Sequence, residues 1–206
     1  MIRHEPFGIY LRVSPETNTT LSTISDSVRT HCDDILMPHF PKGIYAMTLA
    51  RLGKVEEAQN RNTRCLPINS ILRMMLDEMP DEFRLLCMGE HAVEAAIDSK
   101  STKTLNFNIK PTTDLVETVE AFKGIFINAG LDHTVFTGFN HLHISLGSYR
   151  RYHKRKTRDK AVRHAQEKAS KLFRGSVSGI ALRGLTIGSS YTNSHPDFVK
   201  AMQELQ

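Results

Sequence analysis

The sequence contains no apolar run long enough to cross a membrane. A transmembrane helix needs about 18 or more consecutive apolar residues, and no segment of the 206 residues approaches that length. Residues 1–6 also lack the apolar stretch of a secretory signal peptide. From these absences we expect a cytoplasmic protein that has no membrane partner.

Cysteine is scarce and widely spaced. The three cysteines, Cys32, Cys65 and Cys87, form no CxxC pair, and an odd number cannot all pair within one chain. A disulfide framework and a cysteine-based zinc site are therefore disfavoured. Histidine and acidic residues are plentiful, but the sequence has no HExxH or similar metal-binding spacing. We expect reduced cysteines and no metal or other cofactor.

What the sequence does have is concentrated positive charge. The chain has 27 Lys and Arg residues against 22 Asp and Glu residues, which gives a formal net charge of +5. Between Arg150 and Arg163, eight of fourteen residues are basic and only Asp159 is acidic. Such a run suits an anionic partner such as a nucleotide or RNA. The alternative interpretation is a solvated basic loop and helix face.

The apolar periodicity predicts strands and helices in mixed order. Strands are predicted at 7–13, 44–52, 83–88, 92–97, 104–109, 177–182 and 185–187, with a hairpin formed by 133–136 and 141–146. Helices are predicted at 22–36, 67–79, 113–129 and 158–173, with a last one from Pro196. This order favours an α+β fold with antiparallel sheets covered by helices on one side. No low-complexity linker divides the chain, so we expect one domain over residues 1–206.

Two of the predicted strands, 45–49 and 142–146, share one design. In each, three apolar residues alternate with two that are small or polar. That pair is Ala46 and Thr48 in the first strand, and His143 and Ser145 in the second. Because side chains two positions apart share one face of a strand, each pair is expected to point away from the core.

A histidine and a hydroxyl on one strand face form a half-site for phosphate chemistry. Imidazole titrates near neutral pH, so His143 can give or take a proton. The hydroxyl of Ser145 can hydrogen-bond a phosphoryl oxygen. Two such half-sites facing one phosphate supply a base on one side and an acid on the other, and this arrangement requires no metal.

At this point the chain resembles the two-histidine (2H) phosphoesterase superfamily. Members carry two motifs of the form His-hydrophobic-Thr/Ser-hydrophobic. His143-Ile144-Ser145-Leu146 matches the second motif in full, and Tyr45-Ala46-Met47-Thr48-Leu49-Ala50 resembles the first, with Ala46 in place of the histidine. The separation of the two motifs and the order of the strands are also similar to those of the family. The resemblance covers most of residues 5–190.

The resemblance implies a bilobal single domain with two antiparallel sheets, helices outside and a central cleft where the motifs meet. It implies a metal-independent phosphodiesterase acting on 2′–5′ linkages, 2′,3′-cyclic phosphates or cyclic oligonucleotides. His143 would be one general acid/base, and Thr48 and Ser145 would bind the phosphate. The other catalytic histidine, that of the first motif, would stand at position 46, where this chain has alanine.

Alanine cannot transfer a proton, so Ala46 predicts a severely impaired enzyme. Either a histidine has been replaced at this position, or the chain is a natural nucleotide-binding protein of the same fold without turnover. The intact residues around Ala46 favour the first explanation. A third interpretation sets the motifs aside and takes the chain as a basic RNA-binding module that uses residues 149–163.

Four further residues are candidates for substrate contacts. Tyr149 and Arg150 follow directly on the second motif, where a tyrosine can stack on a base and an arginine can contact a phosphate. Tyr10 and Arg12 share one face of the first predicted strand and are expected to reach the cleft. Against this stands the plainer interpretation of His143 as a half-buried strand histidine without chemistry.

Overall fold

A computed structural model of the chain describes residues 7–37, 44–53, 89–98, 101–128, 136–150, 154–173, 180–190 and 193–194, together with Val199 and Gln203. In chain order these contain β1 (Phe7–Val13), α1 (Pro15–His31), β2 (Ala46–Gly53), β3 (Glu90–Asp98), β4 (Thr104–Lys110), α2 (Thr113–Asn128), a short 3-10 helix (Phe139–His141), β5 (His143–Ser148), α3 (Arg155–Leu172), β6 (Ile180–Ser190) and β7 (Asn193–Ser194). The predicted helix at 67–79 and strand at 83–88 lie outside the described residues. Among the described helices, none has the length and apolar character needed to span a membrane.

All strand pairs are antiparallel, in the order β1-β2-β5-β4-β3-β6-β7. Strand β1 also pairs with β6, so six strands close into a ring. The α+β prediction is confirmed. The described strands hydrogen-bond as one continuous sheet rather than as two separate ones.

The two faces of this ring differ in chemistry. Apolar side chains of the strands and of all three helices form one buried cluster, which includes Leu21 of α1, Phe122 of α2 and Ala165 of α3. The helices pack on the apolar face of the sheet, because they share its buried cluster. Since strand side chains alternate between two faces, the partly exposed side chains lie on the opposite face. We call this second face the concave face, because the sheet closes on itself with the helices on its other side.

The two halves of the chain follow the same order in the ring. The unit β1-α1-β2 and the unit β4-α2-β5 each place a helix between two antiparallel partners. Strands β2 and β5 pair with each other, and so do β3 and β6. Exchanging β1 with β4, β2 with β5 and β3 with β6 leaves the ring unchanged. The two motif strands, β2 and β5, therefore lie side by side.

Helix α1 begins seven residues before the predicted start at position 22. The hydroxyl of Ser14 accepts a hydrogen bond from the backbone N–H of Thr17 at 3.3 Å, and Pro15 occupies the first turn. Proline there needs no N–H partner, so the Ser-Pro pair that ends β1 also starts the helix. The helix ends at His31, before the predicted 36, because Asp33 and Asp34 have left-handed backbone angles with φ of 55° and 51°.

The predicted hairpin of 133–136 with 141–146 is wrong where the structure describes it. Phe136 pairs with Ala50 of β2, and residues 139–141 form a 3-10 helix. Both edges of β5 are taken by β4 and β2. Residues 180–182 and 185–187, predicted as parts of two short strands, belong to the single strand β6, in which Gly184 has a positive φ of 89°. Residues 177–179 lie outside the described residues.

Candidate active site

The two motif strands meet at one residue pair. Met47 of β2 lies opposite Ile144 of β5, and both side chains are fully buried on the apolar face. Continuing this antiparallel register by one residue in each direction sets Thr48 opposite His143 and Ala46 opposite Ser145. All four of these side chains are partly exposed, and all four belong to the concave face because they alternate with buried neighbours.

These four positions form a rectangle on the sheet. Directly opposite residues on antiparallel strands have Cβ atoms about 4.5–5.5 Å apart, and diagonal neighbours are about 7–8 Å apart. Position 46 and His143 occupy one diagonal, while Thr48 and Ser145 occupy the other. Two imidazoles on the first diagonal would have room for one phosphate between them, and the hydroxyls on the second diagonal would reach its remaining oxygens.

His143 is held in one orientation by its own chain. Its Nδ1 lies 2.8 Å from the backbone carbonyl oxygen of His141. A carbonyl only accepts hydrogen bonds, so Nδ1 must carry the proton and donate it, and this fixes the neutral tautomer with its lone pair on Nε2. Among the described residues, Nε2 has no hydrogen-bond partner. His143 therefore presents a basic nitrogen to the concave face.

Tyr10 and Arg12 reach the concave face as the sequence predicts. In the β1–β2 pairing Tyr10 lies opposite Thr48, and Arg12 lies opposite Ala46. Tyr10 is only 8% exposed, and its ring lies along β1 over Gly8, where an added Cβ would come within 2.6 Å of the phenol oxygen. Arg12 is exposed, so it is the cation of β1 that a ligand on this face can meet.

Tyr149 is not brought to this site. The β4–β5 pairing skips Leu146, which bulges out of the ladder, so that Gly147 lies opposite Leu105. One extra residue moves every later side chain to the opposite face. Tyr149 is consequently 6% exposed. Burial raises the pKa of its phenol to about 12, while Arg158 of α3 opposes the rise and Asp159 adds to it.

Arg150 also lies away from the rectangle. Its guanidinium forms an ion pair with Asp34 at 2.9 Å, and its backbone N–H donates to the carbonyl of Ile35. Both partners belong to the segment after α1. Two further residues of the basic run also form ion pairs. Arg155 lies 3.9 Å from Asp159, and Lys160 lies 3.9 Å from Asp33.

Asn106 and Asn108 also lie on the concave face, and neither is among the site residues predicted from the sequence. In the β4–β5 pairing Asn108 lies opposite His143, and Asn106 lies opposite Ser145. The alternation of β4 already places both asparagines on its polar face. Only the strand order could show that β4 borders the second motif, and strand order is not visible in a single sequence.

Comparison with protein-family models gives no match, and comparison with curated proteins gives no significant match either. Across the described ranges, no group of three or more histidine, cysteine or acidic side chains is placed to hold a metal ion. The geometry of the concave face is therefore the basis from which a function can be inferred.

Proposed function

We propose that this chain has the machinery of a metal-independent phosphodiesterase that acts on nucleotide phosphodiesters and lacks one of its two proton carriers. The observation that carries the proposal is the rectangle of Ala46, Thr48, Ser145 and His143. A basic nitrogen occupies one corner, hydroxyls occupy one diagonal, and the corner opposite the base holds a residue without any functional group.

His143 is the proton carrier of the second half-site. With Nδ1 bonded to the His141 carbonyl, Nε2 accepts the proton of an attacking hydroxyl or water, or in protonated form donates it to a leaving oxygen. Thr48 and Ser145 donate hydrogen bonds to the non-bridging phosphate oxygens. Arg12, beside position 46, adds a positive charge that stabilises the phosphate in both ground state and transition state.

Position 46 is the place of the second proton carrier. Cleavage of a phosphodiester needs a base for the nucleophile and an acid for the leaving group, and one histidine supplies one of these at a time. Losing a positioned acid or base lowers the rate by about 10²–10⁴-fold. The chain is therefore proposed to bind its substrate and to cleave it slowly.

The equivalence of the two halves supports the finer description of the fold. We propose two lobes, each built around one motif strand, with the substrate held where β2 meets β5. The exchange of β1-α1-β2 with β4-α2-β5 carries position 46 onto position 143 and Thr48 onto Ser145. A nucleotide substrate also agrees with a cytoplasmic location, which we propose for the protein.

A second candidate is a nucleotide-binding protein of the same fold that has no turnover. Ala46 favours it, because binding requires Thr48, Ser145 and Arg12 but not a second histidine. A basic RNA-binding module that uses residues 149–163 fits less well, because Tyr149 is buried and Arg150 and Lys160 pair with acidic residues.

Binding of an uncleaved phosphodiester tests the proposal without any change at position 46. We expect Thr48→Val and Ser145→Ala each to weaken the binding of a 2′–5′-linked dinucleotide by about tenfold or more. A hydrogen bond to a charged group contributes about 1.5–3 kcal/mol, and about 1.4 kcal/mol corresponds to a factor of ten. Isothermal titration calorimetry measures the dissociation constant.

Thr118→Val is the matched control, since the Thr118 hydroxyl bonds the carbonyl of Asp114 within α2, away from the concave face. It should leave the affinity unchanged. If both site variants kept the affinity of the parent chain, the phosphate would not lie between these hydroxyls.

A further inference from the structure

Strand β4 carries two amides that lie beside the second motif. Asn108 lies opposite His143 and Asn106 lies opposite Ser145. Each amide is therefore the next side chain across the sheet from one residue of the second motif. By the exchange of the two halves, Asn108 corresponds to Arg12, and Asn106 corresponds to Tyr10. The two sides of the rectangle are therefore equivalent in place and different in chemistry.

The amides are not used by the fold itself. Asn106 is 8% exposed, and its Oδ1 is buried with no hydrogen-bond partner among the described residues. A buried polar atom without a partner costs free energy, so native proteins rarely keep one without a reason. Asn108 is half-buried and makes no side-chain hydrogen bond within the described part of the chain. Both amides thus retain hydrogen-bonding capacity.

The charge differs between the β1 side and the β4 side of the rectangle. On the β1 side, Arg12 is a cation beside position 46. On the β4 side, the amides of Asn106 and Asn108 are neutral. A phosphate is favoured near the charge of Arg12, so the neutral part of a nucleotide belongs on the β4 side.

We propose that Asn108, with Asn106 behind it, binds the base edge of the nucleotide whose phosphate lies between Thr48 and Ser145. An asparagine amide offers one donor and one acceptor side by side, which matches the adjacent donor and acceptor groups on the edge of a nucleotide base. Asn108 is the amide that a ligand meets first, because it is the more exposed. The terminal torsion of Asn106 has a broad minimum, so a small rotation brings its oxygen to a ligand donor. The ligand is a phosphodiester whose base pairs with this amide. This inference rests on the proposed function.

Calorimetry with two ligands tests the inference separately from the proposed function. The first ligand is a 2′–5′-linked diadenosine monophosphate, and the second has the same phosphodiester with abasic sugars. We expect Asn108→Ala to weaken the first ligand by about tenfold, the value of one amide–base pair, and to leave the second unchanged. Asn128→Ala, at an exposed position at the end of α2, is the control and should change neither affinity.

Equal weakening of both ligands, or no weakening of either, would overturn the role of Asn108 while the phosphodiester site remained. Failure of the parent chain to bind either ligand would overturn the proposed function together with this inference.

Discussion

Replacing Ala46 by histidine should raise the rate of phosphodiester cleavage by about 10²–10⁴-fold, the contribution of one positioned acid or base. Position 46 is partly exposed on the concave face and lies diagonal to His143, about 7–8 Å away by strand geometry. An imidazole at this corner restores a proton carrier on the side of the phosphate opposite His143 Nε2.

The measurement is cleavage of a panel containing 2′,3′-cyclic, 2′–5′-linked and cyclic dinucleotide substrates, with the parent chain and Ala46→His compared under identical conditions. Ala121→His serves as the control, because Ala121 is exposed on α2. It adds the same side chain far from the concave face and should leave the rate at the parent level. A folded Ala46→His protein that cleaved none of the panel would mean that the chain lacks catalytic machinery.

In the Ala46→His background, changing His143 to glutamine should return the rate to the parent level or below. Glutamine preserves a polar side chain of similar length but cannot transfer a proton at neutral pH. With both histidines present, the rate should depend on pH through a bell-shaped curve, since one imidazole must be protonated and the other neutral. Removing His143 should abolish one limb of that curve.

His141→Gln is the control for this second change. His143 bonds the backbone carbonyl of His141, which the substitution keeps, and the side chain of His141 lies exposed in the 3-10 helix. Its substitution should therefore preserve both the rate and the pH curve. The assignment of His143 fails if Ala46→His/His143→Gln cleaves as fast as Ala46→His, or if His141→Gln is the variant that loses activity.

Much of the concave face was predictable from local pattern alone. A period of two separates Ala46 and Thr48 from the buried Met47, and it separates His143 and Ser145 from the buried Ile144. Alternation of this kind depends only on strand geometry, so a single sequence carries it. The pairing of β2 with β5 confirms that both polar pairs belong to one sheet face.

The site residues that were wrongly predicted or not predicted depend on how neighbouring strands pair. Extending the alternation of β5 predicts Tyr149 on the site face, whereas the bulge at Leu146 turns it toward α3. Nothing in the residues 142–149 marks that bulge except Gly147. The amides of β4 share a visible alternation, but their place beside His143 follows from a pairing between segments far apart in the chain. The predicted start of α1 at position 22 is too late, because Ser14 and Pro15 both end strand β1 and begin the helix.

The most direct test of the central claim is nitrogen NMR of the histidine side chains in the chain with Ala46. Among the ten histidines, His143 in its neutral form should show a protonated Nδ1 and an unprotonated Nε2. Adding an uncleaved 2′–5′-linked dinucleotide should shift the Nε2 resonance of His143, and Thr48→Val should abolish that shift. A saturating dinucleotide that left the His143 resonances unmoved, or shifted only those of His31 and His164 on the helical side, would contradict the account.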